Sequence, residues 1–392
     1  MRALICGAGI AGLTLAWHLE RAGWQVEVVE RAPALRDGGY MIDFYGPGYE
    51  VAERMGLTPR LLQARYPVSE LSYVDRDGRQ TSRLAMSASF DRVVSLLRAD
   101  LVHAIHDDVR TPVTYGTSVA GIEQHDEGVT VELTDGTRRE VDLLVGADGA
   151  HSRVRELAFG PEERFLRYLG HQVAAYVIDD KALSEQVGTR YRMLTVPGLM
   201  AGAYALRGDR LALLFLLREP DPTLTGDPAT WLRRHYGDLG WILPEALARC
   251  PEPAEIYRDQ VTQIDMEHWS TGRVVLLGDA CQAVSLFAGH GASLAMAGAW
   301  VLADELAAAG ADGVPDALAA YQRRVRPAVE EVQAFGRRFI RWMAPASRLR
   351  ITARDWMLRL AALPGADRLF LNTLTSGGHG LIVSRAVDEL RG

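Results

Sequence analysis

Residues 3–12 read Ala3-Leu4-Ile5-Cys6-Gly7-Ala8-Gly9-Ile10-Ala11-Gly12. Ala3 to Cys6 is a short apolar run, the mark of a parallel strand buried on both faces. The glycine turn follows at once. Leu13, Leu15, Ala16 and Leu19 then give a helical pattern that Ala22-Gly23 stops, and Val26-Glu27-Val28-Val29 forms a second strand ending at Glu30. The spacing therefore predicts a βαβ nucleotide-binding unit. Gly7 permits the tight turn, Gly9 lets a pyrophosphate approach the backbone, and Gly12 lets helix and strand pack closely. Ile10 and Ala11 open a helix whose N-terminus offers unpaired N–H groups and partial positive charge to phosphates. Glu30, followed by Arg31, stands where a carboxylate accepts ribose hydroxyls. That favours FAD or NAD over a 2′-phosphorylated cofactor without separating those two.

Two later segments repeat the theme. Val119 to Asp142 alternates like antiparallel strands, with Gly128 to Leu133 turning at Asp135-Gly136 into Arg138 to Val141. The apolar run Leu143-Leu144-Val145 then opens into Gly146-Ala147-Asp148-Gly149, followed by Ser152, Arg153 and Arg155. Val274-Val275-Leu276-Leu277 is a third such strand, ending in Gly278-Asp279-Ala280. After it come Gly289-His290-Gly291 and an expected helix from Ala292 to Leu306. Asp279, at a strand's carboxyl end, suits the hydroxyls of a polyol. The N–H groups of Gly289, Gly291 and Ala292 suit negative charge, such as that on a reduced flavin. In this order the three segments describe a chain that returns repeatedly to one bound FAD.

At 392 residues the chain exceeds one ordinary core, so two or three packed units are expected. A net charge of -7 argues against nucleic acid, which calls for a basic face. Cys6, Cys250 and Cys281 are isolated, with no CxxC pair and no histidine at metal-ligand spacing. No metal site is expected, and a reducing cytoplasm is the expected location. No signal peptide is expected, because the first strand begins almost at Met1. No apolar run is expected to approach the ~20 residues that span a bilayer, so no transmembrane segment is expected.

These motifs resemble those of class A FAD-dependent monooxygenases of the para-hydroxybenzoate hydroxylase-like fold. That family includes aromatic hydroxylases, hydroxylases that tailor polyketide antibiotics, and monooxygenases that inactivate tetracyclines. The resemblance covers most of the chain, with residues 170–265 matching only in general character. It implies that Gly7, Gly9, Gly12 and Glu30 hold the ADP half of FAD. Arg98, in Leu97-Arg98-Ala99-Asp100-Leu101, matches the family arginine that begins a helix and contacts the flavin moiety. Asp148 and Gly149 match a motif implicated in FAD and NAD(P)H pyrophosphate contacts, and Asp279 matches the residue that bonds the ribityl chain. Gly38-Gly39-Tyr40-Met41-Ile42-Asp43 resembles the stretch that runs past the isoalloxazine ring. The late motif departs from the family pattern: Gln282 stands for a histidine, Leu286 for the proline beside the reacting face, His290 for a glutamine and Ser293 for an asparagine.

The implied fold is α/β: a Rossmann-like FAD-binding domain, a mostly antiparallel-sheet substrate domain and C-terminal helices. The FAD-binding domain is expected to be discontinuous over residues 1–70, 98–165 and 266–312. The substrate domain is expected over 71–97 and 166–265, and a helical region over 313–392. The resemblance implies a cycle in which NAD(P)H, a transient co-substrate, reduces the flavin and O2 adds at its C4a position. An electron-rich aromatic small molecule, of one or several rings, then attacks the hydroperoxide. Tyr45, Met193, Tyr204, Phe215 and Phe287 are candidate pocket residues, and His290, Leu286 and Phe287 are candidates beside the flavin. The chain is expected to act as a monomer or homodimer. Epoxidation, Baeyer–Villiger insertion, dehydrogenation, or flavin binding without turnover stay open as alternatives.

Overall fold

The apolar runs that open this sequence become the centre of a six-stranded sheet in a computed structural model that describes residues 1–35, 40–85, 93–310 and 313–361. Gly38 and Gly39, and residues 362–392 of the expected helical region, lie outside the described residues. Strand Arg2–Cys6 pairs in parallel with Gln25–Glu30 on one side and Leu143–Gly146 on the other. Leu143–Gly146 in turn pairs in parallel with Val274–Leu276, and Val113–Tyr115 extends the sheet beyond Gln25–Glu30. Arg2–Cys6, Leu143–Gly146 and Val274–Leu276 each run into a glycine turn at the carboxyl end, so the turns of all three motifs gather along one edge, where open α/β sheets receive ligands. A three-stranded antiparallel sheet, Val119–His125, Gly128–Leu133 and Arg138–Val141, covers part of this unit.

Helices Ile10–Arg21, Gly291–Ala309 and Val314–Met343 pack on this sheet. Gly291–Ala309 has 19 residues and is long and apolar enough, by length and composition, to cross a bilayer. This corrects the reading that no apolar run approaches that length, because its alanines and glycines make an apolar stretch that does not look greasy in sequence. Leu294, Met296, Ala297, Val301 and Leu302 are buried in the core between Ile10–Arg21 and Val314–Met343, and that packing accounts for the composition.

The second layer is a seven-stranded sheet in the order Tyr257–Ile264, Leu166–Asp179, Arg210–Arg218, Leu199–Leu206, Arg190–Val196, Glu70–Val74, Gln80–Ala85. All its pairs are antiparallel except Arg190–Val196 with Glu70–Val74. Its outer face packs under helices Pro228–Tyr236 and Leu243–Ala248 through Tyr176, Leu213, Phe215 and Tyr236. Its inner face carries Tyr73, Val173, Met193, Met200, Leu214 and Leu216, closed by Phe287 and by Ile340 and Met343 from the end of Val314–Met343. A two-stranded ribbon, Met41–Phe44 with Val94–Leu97, runs between the two layers. Its alternation divides the work. Phe44 is buried in the core of the six-stranded unit, while Met41 packs with Tyr191 and Tyr204 of the seven-stranded sheet.

Candidate cofactor and substrate site

The three glycine segments meet at contact distance. A Cβ on Gly7, whose φ is +108°, would lie 2.3 Å from the carbonyl oxygen of Ala147. One on Gly278 would lie 2.7 Å from Cβ of Ala11. Gly12 is pressed against Gly7, with an added Cβ only 2.0 Å from its carbonyl oxygen. Gly9 differs: its Cβ would meet nothing closer than Nη2 of Arg98, at 3.6 Å, so its bare Cα faces open space. A cavity there is lined by Gly7, Ala8, Gly9, Glu30, Arg31 and Arg98, with Ala147 to Gly149 opposite.

Glu30 braces the turn. Its Oε2 accepts the Ala8 N–H and its Oε1 the Ala32 N–H, both at 2.9 Å. Asp148 serves a similar local purpose: its carboxylate accepts the Ser152 hydroxyl and the N–H groups of Arg153 and Val154, at 2.7 and 3.1 Å for the last two. Burial pushes that carboxyl up while those donors hold it down. The Asp148 side chain thus braces the start of helix Arg153–Phe159 beside its N-cap Ser152, whose hydroxyl accepts the Arg155 N–H at 3.0 Å. The sequence places Arg155 just after this motif but does not show what it binds. Its side chain is 0% exposed, and it donates to Ala280 C=O at 2.9 Å, Ala150 C=O at 2.7 Å and Glu162 at 2.8 Å. One guanidinium thereby ties the second motif to the third.

Helices Ile10–Arg21 and Gly291–Ala309 both begin without a side-chain cap and without an acid in the first turn. Their orphan N–H groups and positive dipole ends suit anionic groups. Ile10 and Ala11 are buried in the first turn, whereas Gly289, Gly291 and Ala292 keep exposed surface at the second. Gly289 is left-handed at φ +71° and sets that approach. Two buried glutamines, also missed in sequence, fix the loop ahead of it. Gln263 donates to Val284 and Gln333 C=O, and Gln333 donates to Ile264 and Ala283 C=O.

Asp279 lies deep in the fold, where burial pushes its carboxyl up and Arg98 pulls it back, yet its side chain is exposed. Asp43 has the same character. Arg98 begins helix Arg98–His106 as expected, and its N–H donates to Tyr40 C=O at 3.1 Å.

The departures from the family pattern are absorbed by packing. Gln282 is buried, and its amide donates to the Tyr321 hydroxyl at 2.5 Å. Ser293 accepts the Gly48 N–H at 2.9 Å. Nδ1 of buried His290 lies 2.7 Å from Ala288 C=O, which can only accept, so that nitrogen carries the proton. The Tyr45 hydroxyl sits 3.2 Å from the same nitrogen. Leu286 is half-buried at the start of the turn Leu286–Ala288, and Phe287 is buried against the inner face of the seven-stranded sheet. Met193 and Tyr204 lie on that face, Tyr204 accepting the Met41 N–H at 2.5 Å. Phe215 does not join them. It lies on the outer face, stacked on Tyr176, because strand Arg210–Arg218 places odd and even residues on opposite sides.

The uncapped helices, the bare Gly9 backbone and the open Asp279 form a cradle that fits FAD. A model of the FAD binding domain family matches residues 1–335. The chain is 36% identical over 322 residues to an uncharacterized protein of Mycobacterium tuberculosis, covering 79% of this chain and 86% of that one. It is 30% identical over 344 residues to a flavin-dependent monooxygenase of an unknown prokaryotic organism, covering 86% of this chain and 88% of the relative. The crystal structure of the tetracycline destructase Tet(51) matches with a TM-score of 0.80 at 28% identity, covering 91% of this chain and 95% of that one. Fold and site define a flavoprotein oxidoreductase that binds FAD. The chain belongs to the FAD binding domain family, among the class A flavin-dependent monooxygenases of the para-hydroxybenzoate hydroxylase-like fold.

Proposed function

We propose that this monooxygenase uses NAD(P)H and O2 to hydroxylate an aromatic small molecule, with several fused rings as the favoured class. The observation that carries the reading is that the turn Leu286–Ala288, just ahead of the uncapped N-terminus of Gly291–Ala309, seats Phe287 against the inner face of the seven-stranded sheet. The similarity to a tetracycline destructase supports the preference for a polycyclic substrate.

In this reading Gly7, Gly9, Ile10, Ala11, Gly12, Glu30 and Arg31 hold the ADP half of FAD. Arg98, Asp279 and the N–H groups of Gly289, Gly291 and Ala292 hold the flavin half, with Asp148 and Gly149 shaping the wall between. The cofactor unit comprises residues 1–70, 98–165 and 266–312, and residues 71–97 and 166–265 receive the substrate. Bound FAD supplies the redox and oxygen-activating chemistry. The protein's part is to orient the aromatic ring, to place positive potential at the helix end, and to keep water out with Phe287, Met193, Tyr204 and the C-terminal helices.

The test is the visible spectrum of purified protein under anaerobic NADPH or NADH, then after air is readmitted, followed by a screen of naphthols and tetracyclic phenols. Bleaching, recovery and a product heavier by one oxygen atom are expected. Purified protein that takes up no FAD, or reduced flavin that never yields an oxygenated product across the screen, refutes the proposal.

A further inference from the structure

A cavity of about 300 Å³ lies between helix Val314–Met343 and the segment that leads into the six-stranded sheet. Ala319, Gln322, Arg323 and Arg326 line it from the helix, at the spacing that puts side chains on one helical face. His268 and Ser270 line it from the other side. Trp269 between them is buried in the core, its ring centroid 5.8 Å from that of Tyr321, so chain alternation turns its two neighbours outward. None of these residues lines the cofactor cavity.

The charges around this cavity do not balance. Arg324 and Arg326 of the same helix are matched to acids, Arg324 with Asp304 and Glu305 and Arg326 with Glu330. Arg323 makes no hydrogen bond or ion pair among the described residues, and none of the described residues lining the cavity is an acid. It stands three residues from Arg326, where like charges on a helix repel. His268 adds a third basic side chain, with a carboxylate oxygen of Glu267 3.7 Å away. The wall itself is fixed in place. Gln322 and Arg326 both donate to Glu267 C=O, at 2.6 and 2.8 Å, and Gln322 accepts the Trp269 N–H at 2.9 Å. Basic side chains are thus held around an opening by bonds to the backbone on its far side.

Except for Ala319, every lining side chain can donate a hydrogen bond, which suits an oxyanion and offers little to an apolar ligand. Planar guanidinium groups match the oxygens of a phosphate in pairs, and a dianion answers two arginines where a carboxylate answers one. The volume is at the small end of the range for ligand pockets, about 300–1,000 Å³. We propose that this cavity binds a small phosphate monoester, with Arg323 as its main anchor and Arg326, His268 and Ser270 closing around it. Such a ligand bridges the helix to the segment that joins the two large sheets, between Tyr257–Ile264 and Val274–Leu276.

The probe is glycerol 3-phosphate, titrated by calorimetry into the FAD-loaded full chain at constant ionic strength, with the flavin spectrum followed alongside. A single saturable site is expected, with a melting temperature that rises with probe concentration. A hydrogen-bonded charge pair is worth about 10- to 100-fold in affinity, so Arg323→Gln, which breaks no hydrogen bond among the described residues, weakens binding by that factor. Ala319→Glu, at an exposed position in the wall, abolishes binding by placing a carboxylate among the arginines. Arg338→Gln, at an exposed arginine about 18 Å further along the helix from Arg326, leaves it unchanged. The proposal is overturned by wild-type protein without saturable binding, or by binding that Arg323→Gln or Ala319→Glu leaves intact. Equal losses in Arg323→Gln and Arg338→Gln overturn it as well, because they mark a diffuse effect of charge. So does binding that expels FAD, which places the phosphate in the cofactor cradle.

Discussion

Replacing Gly9 with alanine separates the needs of the fold from those of the cofactor. Gly9 has φ -86° and ψ -172°, which alanine adopts without strain, and the new Cβ meets only the flexible end of Arg98, at 3.6 Å. The folding cost is therefore small, within about 1 kcal/mol. The methyl group does project into the cavity where a pyrophosphate would approach, and overpacking there costs about 1–3 kcal/mol, or roughly 5- to 150-fold in FAD affinity. Gly12 is the opposite case. Its Cβ would stand 2.0 Å from the Gly7 carbonyl oxygen and 3.2 Å from Cγ2 of Ile5, so helix and strand must part with or without cofactor. Gly12→Ala is expected to destabilise the apoprotein by about 1–3 kcal/mol or more. Thermal melting of both apoproteins, with FAD titrations followed by flavin fluorescence, tests the pair. The reasoning fails if Gly9→Ala binds FAD like the wild type, or if apo Gly12→Ala melts where the wild type does.

Three further outcomes follow from the same geometry. His151 is raised to about 9, chiefly by its hydrogen bond to Asp259 and then by Glu162, against the opposing effect of burial. Its contribution to stability is thus complete below the unfolded value near 6.5 and is lost as pH rises through about 9; melting temperatures of wild type and His151→Gln should converge across that window, and a constant gap counts against the pairing. Arg155→Met removes three donors that join the second and third motifs, and should cost about 2 kcal/mol of stability together with FAD affinity, read by urea denaturation and FAD titration; a loss of affinity alone would refute the structural role. Tyr321→Phe takes away the hydroxyl between Gln282 and Leu276 C=O, at 2.5 and 3.2 Å, and should cost about 1–3 kcal/mol in chemical denaturation without changing the flavin spectrum; an unchanged midpoint would show that Gln282 finds another partner.

What was legible in the sequence was what local chemistry determines. A glycine turn after an apolar strand announces itself, and the hairpin at Asp135-Gly136 falls between the paired strands Gly128–Leu133 and Arg138–Val141. Helix Arg98–His106 begins at the residue expected. The face of Phe215 was not legible, because Leu211 to Leu217 is apolar at every position and burial on both faces erases the alternation that would assign a side. The roles of Arg155, Gln263 and Gln333 were hidden for another reason. The partners that give them their roles, Ala280 for Arg155 and residues 21 to 70 positions away for the glutamines, lie far along the chain, and an arginine or glutamine reads as surface until the pairing is known. Asp43 stood within a stretch matched to the flavin, but its bond from the Ser95 hydroxyl depends on the strand register with Val94–Leu97.

The order of strands in the cofactor sheet also governs how the chain is made. Arg2–Cys6 leaves the ribosome first, yet one of its two neighbours, Leu143–Gly146, is more than a hundred residues behind it, and Val274–Leu276 must follow before that neighbour is flanked in turn. Until then the nascent N-terminal βαβ unit carries an unpaired parallel edge rich in valine, leucine and isoleucine. Such pairings are slow to form and exposed to misassembly while they wait. Fragments ending before residue 274 should therefore depend on chaperones during translation. FAD, whose cradle needs all three turns, can act as a folding ligand only once the third turn has been made.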